Sequence, residues 1–210
     1  MKNKNNVDYT LYLCTDRGLM TTDTVEESVR LAVAGGCGVV QLREKEISSA
    51  EFYRLAVDTK KITDEAGAAL IINDRVDIAL AADADGVHVG QSDLPAAVVR
   101  RLIGPDKLLG VSVATLEQAK QAAADGADYL GVGAMYATQT KTDADIVTME
   151  ELRRIRAAVN IPIVVIGGIN KNTLGNFKGM GIDGLAVVSA VVAQADITAA
   201  AKELIQLFKE

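Results

Sequence analysis

The sequence predicts an α/β fold in which eight parallel strands close into a single-domain (β/α)8, or TIM, barrel. Short apolar, β-branched segments alternate with longer amphipathic segments throughout the 210 residues. There are eight such β-then-α units without a long linker between them, which is typical of a closed barrel. Aromatic residues make up only 4% of the chain, so aliphatic side chains must fill the interior, as in parallel sheets buried on both faces. We therefore assign residues 1–210 to one barrel domain.

The predicted strands are the short apolar segments, and each is followed by a helical pattern. They cover residues 11–14, 38–42, 69–72, 86–89, 108–111, 129–132, 163–166 and 184–188. The helical pattern is clearest in residues 48–65, where Phe52, Leu55 and Ile62 recur at helical spacing. Residues 115–124 and 197–208 show the same pattern. An open, doubly wound sheet is the main alternative, but no GxGxxG motif follows the first strand and open sheets usually have fewer strands.

A glycine-containing pattern recurs before four of the predicted strands. The segments AGGCGVVQL, ADADGVHVG, ADGADYLGVG and GMGIDGLAVVS each run from a helix end through glycine into a strand. Glycine is expected to end the helix there in the left-handed conformation. The recurrence indicates a repeating βα unit.

Charge and composition argue against several classes of protein. The formal net charge is −6 and no basic block is present, so nucleic-acid binding is not expected. No apolar segment approaches the ~20 residues of a membrane span, and the first residues lack a signal sequence. Cys14 and Cys37 have no metal-binding spacing and are interpreted as reduced thiols. We therefore expect a cytoplasmic protein whose partners are small molecules, not a membrane or nucleic acid.

Polar side chains follow the predicted strands, where barrel enzymes place their active sites. After the second strand, the period of two puts Gln41, Arg43 and Lys45 on one side. The later strands are followed by Asn73 and Asp74, by Asp93, by Ser112, by a polar segment with Lys141, by Gly167 and Gly168, and by Ser189. The cationic side chains suit phosphate oxygens, and the two carboxylates suit a hard divalent cation such as Mg²⁺.

A second anion site is predicted after the last two strands. The segment IGGIN is expected to open a helix whose free N–H groups and dipole could hold a phosphate. Ser189 is expected to begin the last helix, and these two loops form the usual phosphate site of such barrels. Two anion sites predict a reaction between two phosphorylated substrates.

One connection, residues 133–147, is long and contains no predicted element. It is rich in threonine and aspartate and includes Lys141. Long loops in compact domains are often lids. We predict that this loop is mobile in the empty protein and ordered when both substrates bind.

Structural roles compete with several of these interpretations. Asp74 and Asp93 could cap helices, Asp93 especially because Pro95 follows it. Arg43 and Lys45 could belong to a solvated charge run with Glu44 and Glu46 as partners, and the Gly-Gly pair could form a plain turn. His88 is the only histidine, so it cannot build a histidine metal cluster, and we expect a structural role for it.

The segments QLREK, INDRVDIALAADADGVHVGQSDLP, LGVS, TQTK, IGGIN and VVSA resemble the thiamin phosphate synthase family. They occur in that family's order and spacing, over about residues 12–191. The resemblance implies a Mg²⁺-dependent transferase. Its substrates would be 4-amino-2-methyl-5-(diphosphooxymethyl)pyrimidine, hereafter the pyrimidine diphosphate, and carboxythiazole phosphate. Its products would be thiamin phosphate, diphosphate and CO2.

The resemblance also implies a role for individual residues. Asp74 and Asp93 would ligate Mg²⁺. The pyrimidine diphosphate would be held by Gln41, Leu42, Arg43, Glu44, Lys45, Asn73, Ser112 and Lys141. The thiazole phosphate would be held by Thr138, Gln139, Thr140, Gly168, Val188 and Ser189.

No residue at the strand ends looks like a protein nucleophile. Cys14 has no histidine partner in the sequence, and Ser112 has no base close to it in the sequence. Covalent catalysis is therefore not expected, and Arg43, Lys45 and Lys141 are expected to assist departure of the diphosphate.

The sequence departs from the family at Ala134 and Ala137, where the family usually has proline. Without these prolines, the 133–147 loop is expected to be less rigid than in the family. The nearest alternative is the related thiazole tautomerase, which makes no pyrimidine bond and would not need Asp74 and Asp93 together with Lys141 and the full QLREK segment. A sugar-phosphate epimerase would require paired acid–base residues or metal-binding histidines. A ligand-sensing protein on an inactive barrel would be distinguished by a turnover assay.

Overall fold

The computed structural model describes residues 4–137 and 146–210, and their strands form a closed parallel barrel. The strands are β1 Leu11–Cys14, β2 Val39–Leu42, β3 Ala69–Asn73, β4 Gly86–Val89, β5 Leu108–Val113, β6 Tyr129–Val132, β7 Ile163–Val165 and β8 Gly184–Val187. Each strand pairs with the next along the chain, and β8 pairs with β1 to close the sheet. The predicted barrel is confirmed, and the strand ends differ from the predicted ones by at most two residues.

The helices surround the barrel and begin at side-chain caps in most cases. They are α1 Val25–Ala34, α2 Ser49–Ala66, α3 Val76–Ala81, α4 Ala96–Ile103, α5 Leu116–Ala124, α6 Met149–Ala158, α7 Ser189–Val192 and α8 Ile197–Lys209. Ser48 and Glu51 form a capping box at the start of α2, and Thr115 caps α5. Such caps satisfy backbone N–H groups that have no partner in the first turn. Within the described ranges, no helix has both the length and the apolar composition of a membrane span.

The prediction that the IGGIN segment opens a helix after β7 was wrong. A short 3-10 helix, Leu174–Phe177, stands at that point of the chain. Gly167 and Gly168 have positive φ angles of 97° and 64°, outside the right-handed α-helical region. Asn170 Nδ2 and Thr173 Oγ1 each donate to the Gly168 carbonyl at 3.1 Å and stabilise a turn instead.

Two apolar cores lie on opposite sides of the barrel wall. The larger core packs the strands against the helices. The smaller one takes alternate residues from the strands, including Tyr12, Val39 and Tyr129, and this period of two places it inside the barrel. Gly110 makes room for the interior aromatic ring, because a Cβ atom at this position would lie 2.2 Å from Tyr129 Cζ.

The N-terminal end of the barrel is stabilised by an aspartate that recurs in the repeated segments. Asp85, Asp128 and Asp183 each directly precede a strand and accept a backbone N–H bond, at 2.8 Å, from the strand before it. Each also pairs with a cation, respectively Lys60, Arg100 and Arg156. These contacts place the structural carboxylates at the end of the barrel opposite the polar residues that follow the strands.

The left-handed residue predicted before the strands is present in all four repeated segments, although it is not always glycine. Gly36, Gly126 and Gly181 have positive φ angles, as expected. In the segment ADADGVHVG the corresponding residue is Asp83, with φ of 50°. Aspartate tolerates this conformation better than most non-glycine residues.

Candidate active site

The ends of β2, β3 and β4 bring one cation and two carboxylates together. Lys45, which follows β2, forms an ion pair with Asp74, which follows β3. Asp93, in the loop after β4, is close enough to Asp74 for a side-chain interaction. Lys45 therefore pairs with Asp74 and not with Glu44 or Glu46, which contradicts the alternative of a solvated charge run for Lys45.

Neither carboxylate caps a helix. Helix α3 begins after Arg75 and α4 begins after Pro95, and neither cap residue makes a side-chain cap bond. Asp93 Oδ2 instead accepts a hydrogen bond from the Gly90 N–H at 2.7 Å, within its own loop. Both side chains are thus held at the barrel rim for a reason other than starting a helix.

Asp74 is held in an unusual backbone conformation at the end of β3. Its φ angle is 61°, in the left-handed region that non-glycine residues seldom occupy. Its N–H donates to the His88 carbonyl at 2.8 Å, which extends the pairing of β3 with β4 by one residue. Sparsely populated conformations of this kind cluster at functional sites.

The electrostatics of the pair suit a divalent cation. Burial raises the pKa of Asp93 above its usual range; the Gly90 N–H opposes this shift, and the Asp74 charge adds to it. Two carboxylates thus share the single charge of Lys45. Among the described residues no group of three or more acidic, histidine or cysteine side chains could hold a metal. A donor set of two carboxylates fits Mg²⁺, which commonly completes its shell with water and substrate phosphates.

The rest of the QLREK segment is anchored to the loop after β1. Glu44 forms a two-point ion pair with Arg17, with nitrogen–oxygen distances of 3.0 and 3.2 Å. The Arg43 N–H donates to Thr15 Oγ1 at 2.9 Å. Leu42 lies in the outer core, so only its backbone could reach a ligand inside the barrel mouth. These contacts fix the backbone that presents Arg43 and Lys45.

A line of hydrogen bonds crosses the barrel interior and joins Gln41 to Ser112, two of the residues predicted to bind the pyrimidine diphosphate. Gln41 Nε2 donates to Tyr12 Oη at 2.8 Å, and Tyr12 Oη lies 2.8 Å from Tyr129 Oη. His88 follows, with Nδ1 at 3.1 Å from Tyr129 Oη and Nε2 at 2.8 Å from Ser112 Oγ. The prediction did not include Tyr12 and Tyr129. Strand parity together with the interior glycines Gly110 and Gly131 could have indicated large inward side chains there.

No base lies near Ser112 in the sequence, but the fold brings His88 Nε2 to 2.8 Å from the Ser112 hydroxyl oxygen. Burial, however, lowers the pKa of His88 to about 4. An imidazole of this pKa is a weak general base near neutral pH, and its second nitrogen contacts a tyrosine hydroxyl and not a carboxylate. Burial also raises the pKa of Cys14 to about 12, which removes its thiolate as a nucleophile.

The predicted thiazole phosphate residues are described only in part. Gly168 lies against the segment that follows β6, where a Cβ atom on Gly168 would be 2.7 Å from Tyr136 Cβ. Ser189 is exposed at the start of α7, and Val188 is half-buried beside it. Among the described residues, no hydrogen bond uses the backbone N–H of Gly168 or Ser189. Thr138, Gln139, Thr140 and Lys141 lie outside the described residues.

The predicted lid also lies largely outside the described residues. The two ends of residues 133–147 are described, and they meet: the Val147 N–H donates to the Ala134 carbonyl at 2.8 Å. Met135 and Tyr136 donate to the carbonyls of Ile166 and Gly167. The loop therefore begins and ends beside the Gly-Gly turn that follows β7.

Comparisons of this chain with a family model, with related sequences and with solved structures all indicate the same family. The family model described as thiamine monophosphate synthase matches residues 11–191. A thiamine-phosphate synthase of Clostridium beijerinckii is 63% identical over 201 residues, which cover 96% of this chain and 96% of that protein. One of Clostridium botulinum is 59% identical over 205 residues, 98% of this chain and 96% of that protein. The solved thiamine phosphate pyrophosphorylase from Pyrococcus furiosus has a TM-score of 0.89 and 40% identity, covering 97% and 96% of the two chains.

Proposed function

Since this chain belongs to the thiamine monophosphate synthase family and is a transferase that makes thiamine phosphate, we propose that its substrates are the pyrimidine diphosphate and carboxythiazole phosphate. The bond between the pyrimidine methylene carbon and the diphosphate would break, and the thiazole nitrogen would bond to that carbon. The thiazole carboxylate would leave as CO2, and a proton would take up the electron pair that remains on the thiazole. The observation that carries this proposal is the cluster of Lys45, Asp74 and Asp93 at the barrel mouth, which suits a diphosphate and its cation.

The rim residues would bind and stabilise the leaving diphosphate. Asp74 and Asp93 would hold Mg²⁺, which when bound offsets part of the diphosphate charge. Arg43 and Lys45 are cationic side chains at the same strand end, and Lys45 can exchange its contact with Asp74 for a phosphate oxygen. Lys141 belongs to this set by resemblance. Cations already in position stabilise charge as it grows on the leaving group.

We place the phosphate of the thiazole at the ends of β7 and β8. The N–H groups of Gly168 and Ser189 can donate to an anion, and backbone N–H groups at such turns are common phosphate ligands. The site lies beside the described ends of the 133–147 loop. Closure of that loop over both substrates would exclude water from the reaction.

A product assay tests the proposed reaction. Purified protein, both substrates and Mg²⁺ are expected to give thiamin phosphate, diphosphate and CO2 in equal amounts, measured by mass spectrometry and diphosphate release. A tautomerase would isomerise the carboxythiazole without the pyrimidine substrate and would release no diphosphate. Binding of the substrates without any product would favour the ligand-sensing alternative.

The allocation of the two phosphates predicts a selective effect at Gly168. Gly168→Ala is expected to raise the thiazole phosphate KM by about 10-fold and the pyrimidine KM by less than about 2-fold, because a Cβ atom there blocks backbone approach and meets Tyr136. Gly179→Ala is the matched control, since φ there is also positive, at 73°, but a Cβ atom meets nothing within 4 Å. Equal changes in both KM values for Gly168→Ala would argue against separate sites.

We also propose that the protein works in the cytoplasm. Cys14 and Cys37 are both free, buried thiols, as expected for a reducing compartment.

A further inference from the structure

The interior hydrogen-bond line is enclosed by apolar side chains. Tyr129 and Tyr12 are 0% and 1% exposed, and Gln41 and His88 are 6% and 7% exposed. Val39, Ile71 and Val164 belong to the same interior cluster. A polar group buried in such surroundings is costly unless it is hydrogen-bonded, so each proton along the line needs an acceptor.

The protonation state of each member is defined by its burial. Burial raises the pKa values of Tyr12 and Tyr129 well above their usual range, so both hydroxyl groups keep their protons near neutral pH. His88 has one hydroxyl group beside each ring nitrogen and no charged partner in the line, and a neutral imidazole has one donor and one acceptor nitrogen. Each internal member therefore donates one hydrogen bond and accepts one.

These conditions give the line one direction. With the Gln41 amide N–H donating to Tyr12, the Tyr12 proton finds its acceptor at Tyr129 Oη. Tyr129 must then donate to His88 Nδ1, and His88 Nε2 carries the proton that it donates to Ser112 Oγ. The reverse direction, with Gln41 oriented as it is, would leave the Tyr12 proton without an acceptor in the line.

The direction of the line gives its two ends opposite hydrogen-bonding roles toward a ligand: the Gln41 end accepts and the Ser112 end donates. Gln41 Oε1 makes no hydrogen bond with any described residue, so it remains as an acceptor. Ser112 Oγ already accepts from His88, and its own proton remains available as a donor. Ser112 is half-buried at the end of β5, within reach of the barrel mouth.

We propose that Tyr12 is a positioning residue: its hydroxyl group holds the Gln41 amide so that Oε1 accepts from the exocyclic amino group of the pyrimidine. The proposal rests on the proposed function. The aminopyrimidine has one N–H donor group, its exocyclic amine, and ring nitrogens that accept. Its amine therefore complements Gln41 Oε1, and an acceptor atom of the same substrate complements the Ser112 hydroxyl. The line makes the site selective for an amino group over an oxo group at that ring position.

The selectivity is tested with the 4-oxo analogue of the pyrimidine diphosphate. The wild-type protein is expected to prefer the amino substrate by about 10⁴-fold in kcat/KM, since a site built around a substrate N–H rejects an analogue that lacks it. Tyr12→Phe frees the Gln41 amide to turn. It is expected to lower kcat/KM for the amino substrate by about 10-fold and to reduce the amino-over-oxo preference by about the same factor, with the thiazole KM unchanged.

Tyr9→Phe is the matched control. The Tyr9 ring lies 5.1 Å from the Tyr129 ring in the same interior cluster, but its hydroxyl is not part of the line. It is expected to keep the wild-type preference. A folded Tyr12→Phe protein with the wild-type amino-over-oxo preference would overturn the proposal.

A second measurement needs neither a variant nor a substrate. His88 is the only histidine in the chain, so its two ring nitrogens can be assigned directly by ¹⁵N NMR of the wild-type protein. We expect protonated Nε2 and unprotonated Nδ1 at neutral pH. The opposite tautomer would reverse the line and overturn the proposal even if Tyr12→Phe does not fold. This result is independent of turnover, so failure of the product assay and failure of the positioning role can be told apart.

Discussion

A trifluoromethyl group in place of the pyrimidine methyl group is expected to slow the chemical step by about 10³-fold or more, equivalent to about 4 kcal/mol in the barrier. The described rim offers no activated nucleophile, because Cys14 and His88 have pKa values of about 12 and about 4, respectively. It does bring Arg43 and Lys45 to the strand end where the diphosphate would leave. We therefore propose that the diphosphate departs first and that the thiazole nitrogen captures a pyrimidine cation. An electron-withdrawing group destabilises that cation.

Single-turnover mixing with rapid quenching measures this step without interference from product release. The analogue should bind with a Kd close to that of the natural substrate, because its diphosphate contacts are unchanged and the two groups are similar in size. A single-turnover rate within a few-fold of the natural one would favour direct displacement by the thiazole nitrogen. Weak binding of the analogue would be visible in the Kd and would not be mistaken for a slow chemical step.

Asp93→Ala is expected to lower kcat/KM for the pyrimidine diphosphate by at least ~100-fold and to raise the Mg²⁺ concentration needed for half-maximal activity. The carboxylate lies beside Asp74 and caps no helix, so its removal should affect the cation more than the fold. The measurement is initial rate against Mg²⁺ concentration. Asp58→Ala is the matched control, because Asp58 is an exposed carboxylate on α2 that pairs with Lys61.

The wild-type protein should lose its activity in excess chelator and regain it when Mg²⁺ is restored. Full turnover in excess chelator would contradict the metal site. An Asp93→Ala protein with wild-type activity and wild-type Mg²⁺ dependence would contradict the assignment of Asp93 as a Mg²⁺ ligand.

The strands and the polar residues that follow them along the chain could be predicted from the sequence, because both depend on the local pattern of apolar and polar residues. A β-branched apolar segment such as residues 69–72 forms a strand in any buried parallel sheet, and the rim of the barrel follows from where such segments end. Asp74, Asp93 and Lys45 were recognised in this way, and the ion pair of Lys45 with Asp74 confirms that two of them meet.

The segment after β7 could not be predicted in the same way. Its glycines are compatible with the start of a helix and with a turn. The turn forms because Asn170 and Thr173 bond to the Gly168 carbonyl. Asparagine and threonine side chains can bond to the backbone in place of helical backbone hydrogen bonds. Which of the two sets of bonds forms depends on local backbone geometry, and residue types alone do not specify that geometry.

The sequence by itself determined the barrel, the family resemblance and the residues at the strand ends, since strand parity and motif spacing are properties of the chain. Only the tertiary structure decided which partners those residues take. Lys45 pairs with a carboxylate 29 positions away and not with its neighbours Glu44 and Glu46. Gln41 and Ser112 are joined through Tyr12, Tyr129 and His88, which come from three other strands. Closing the sheet points alternate side chains into one small volume, and distances between them within that volume do not depend on their separation along the chain.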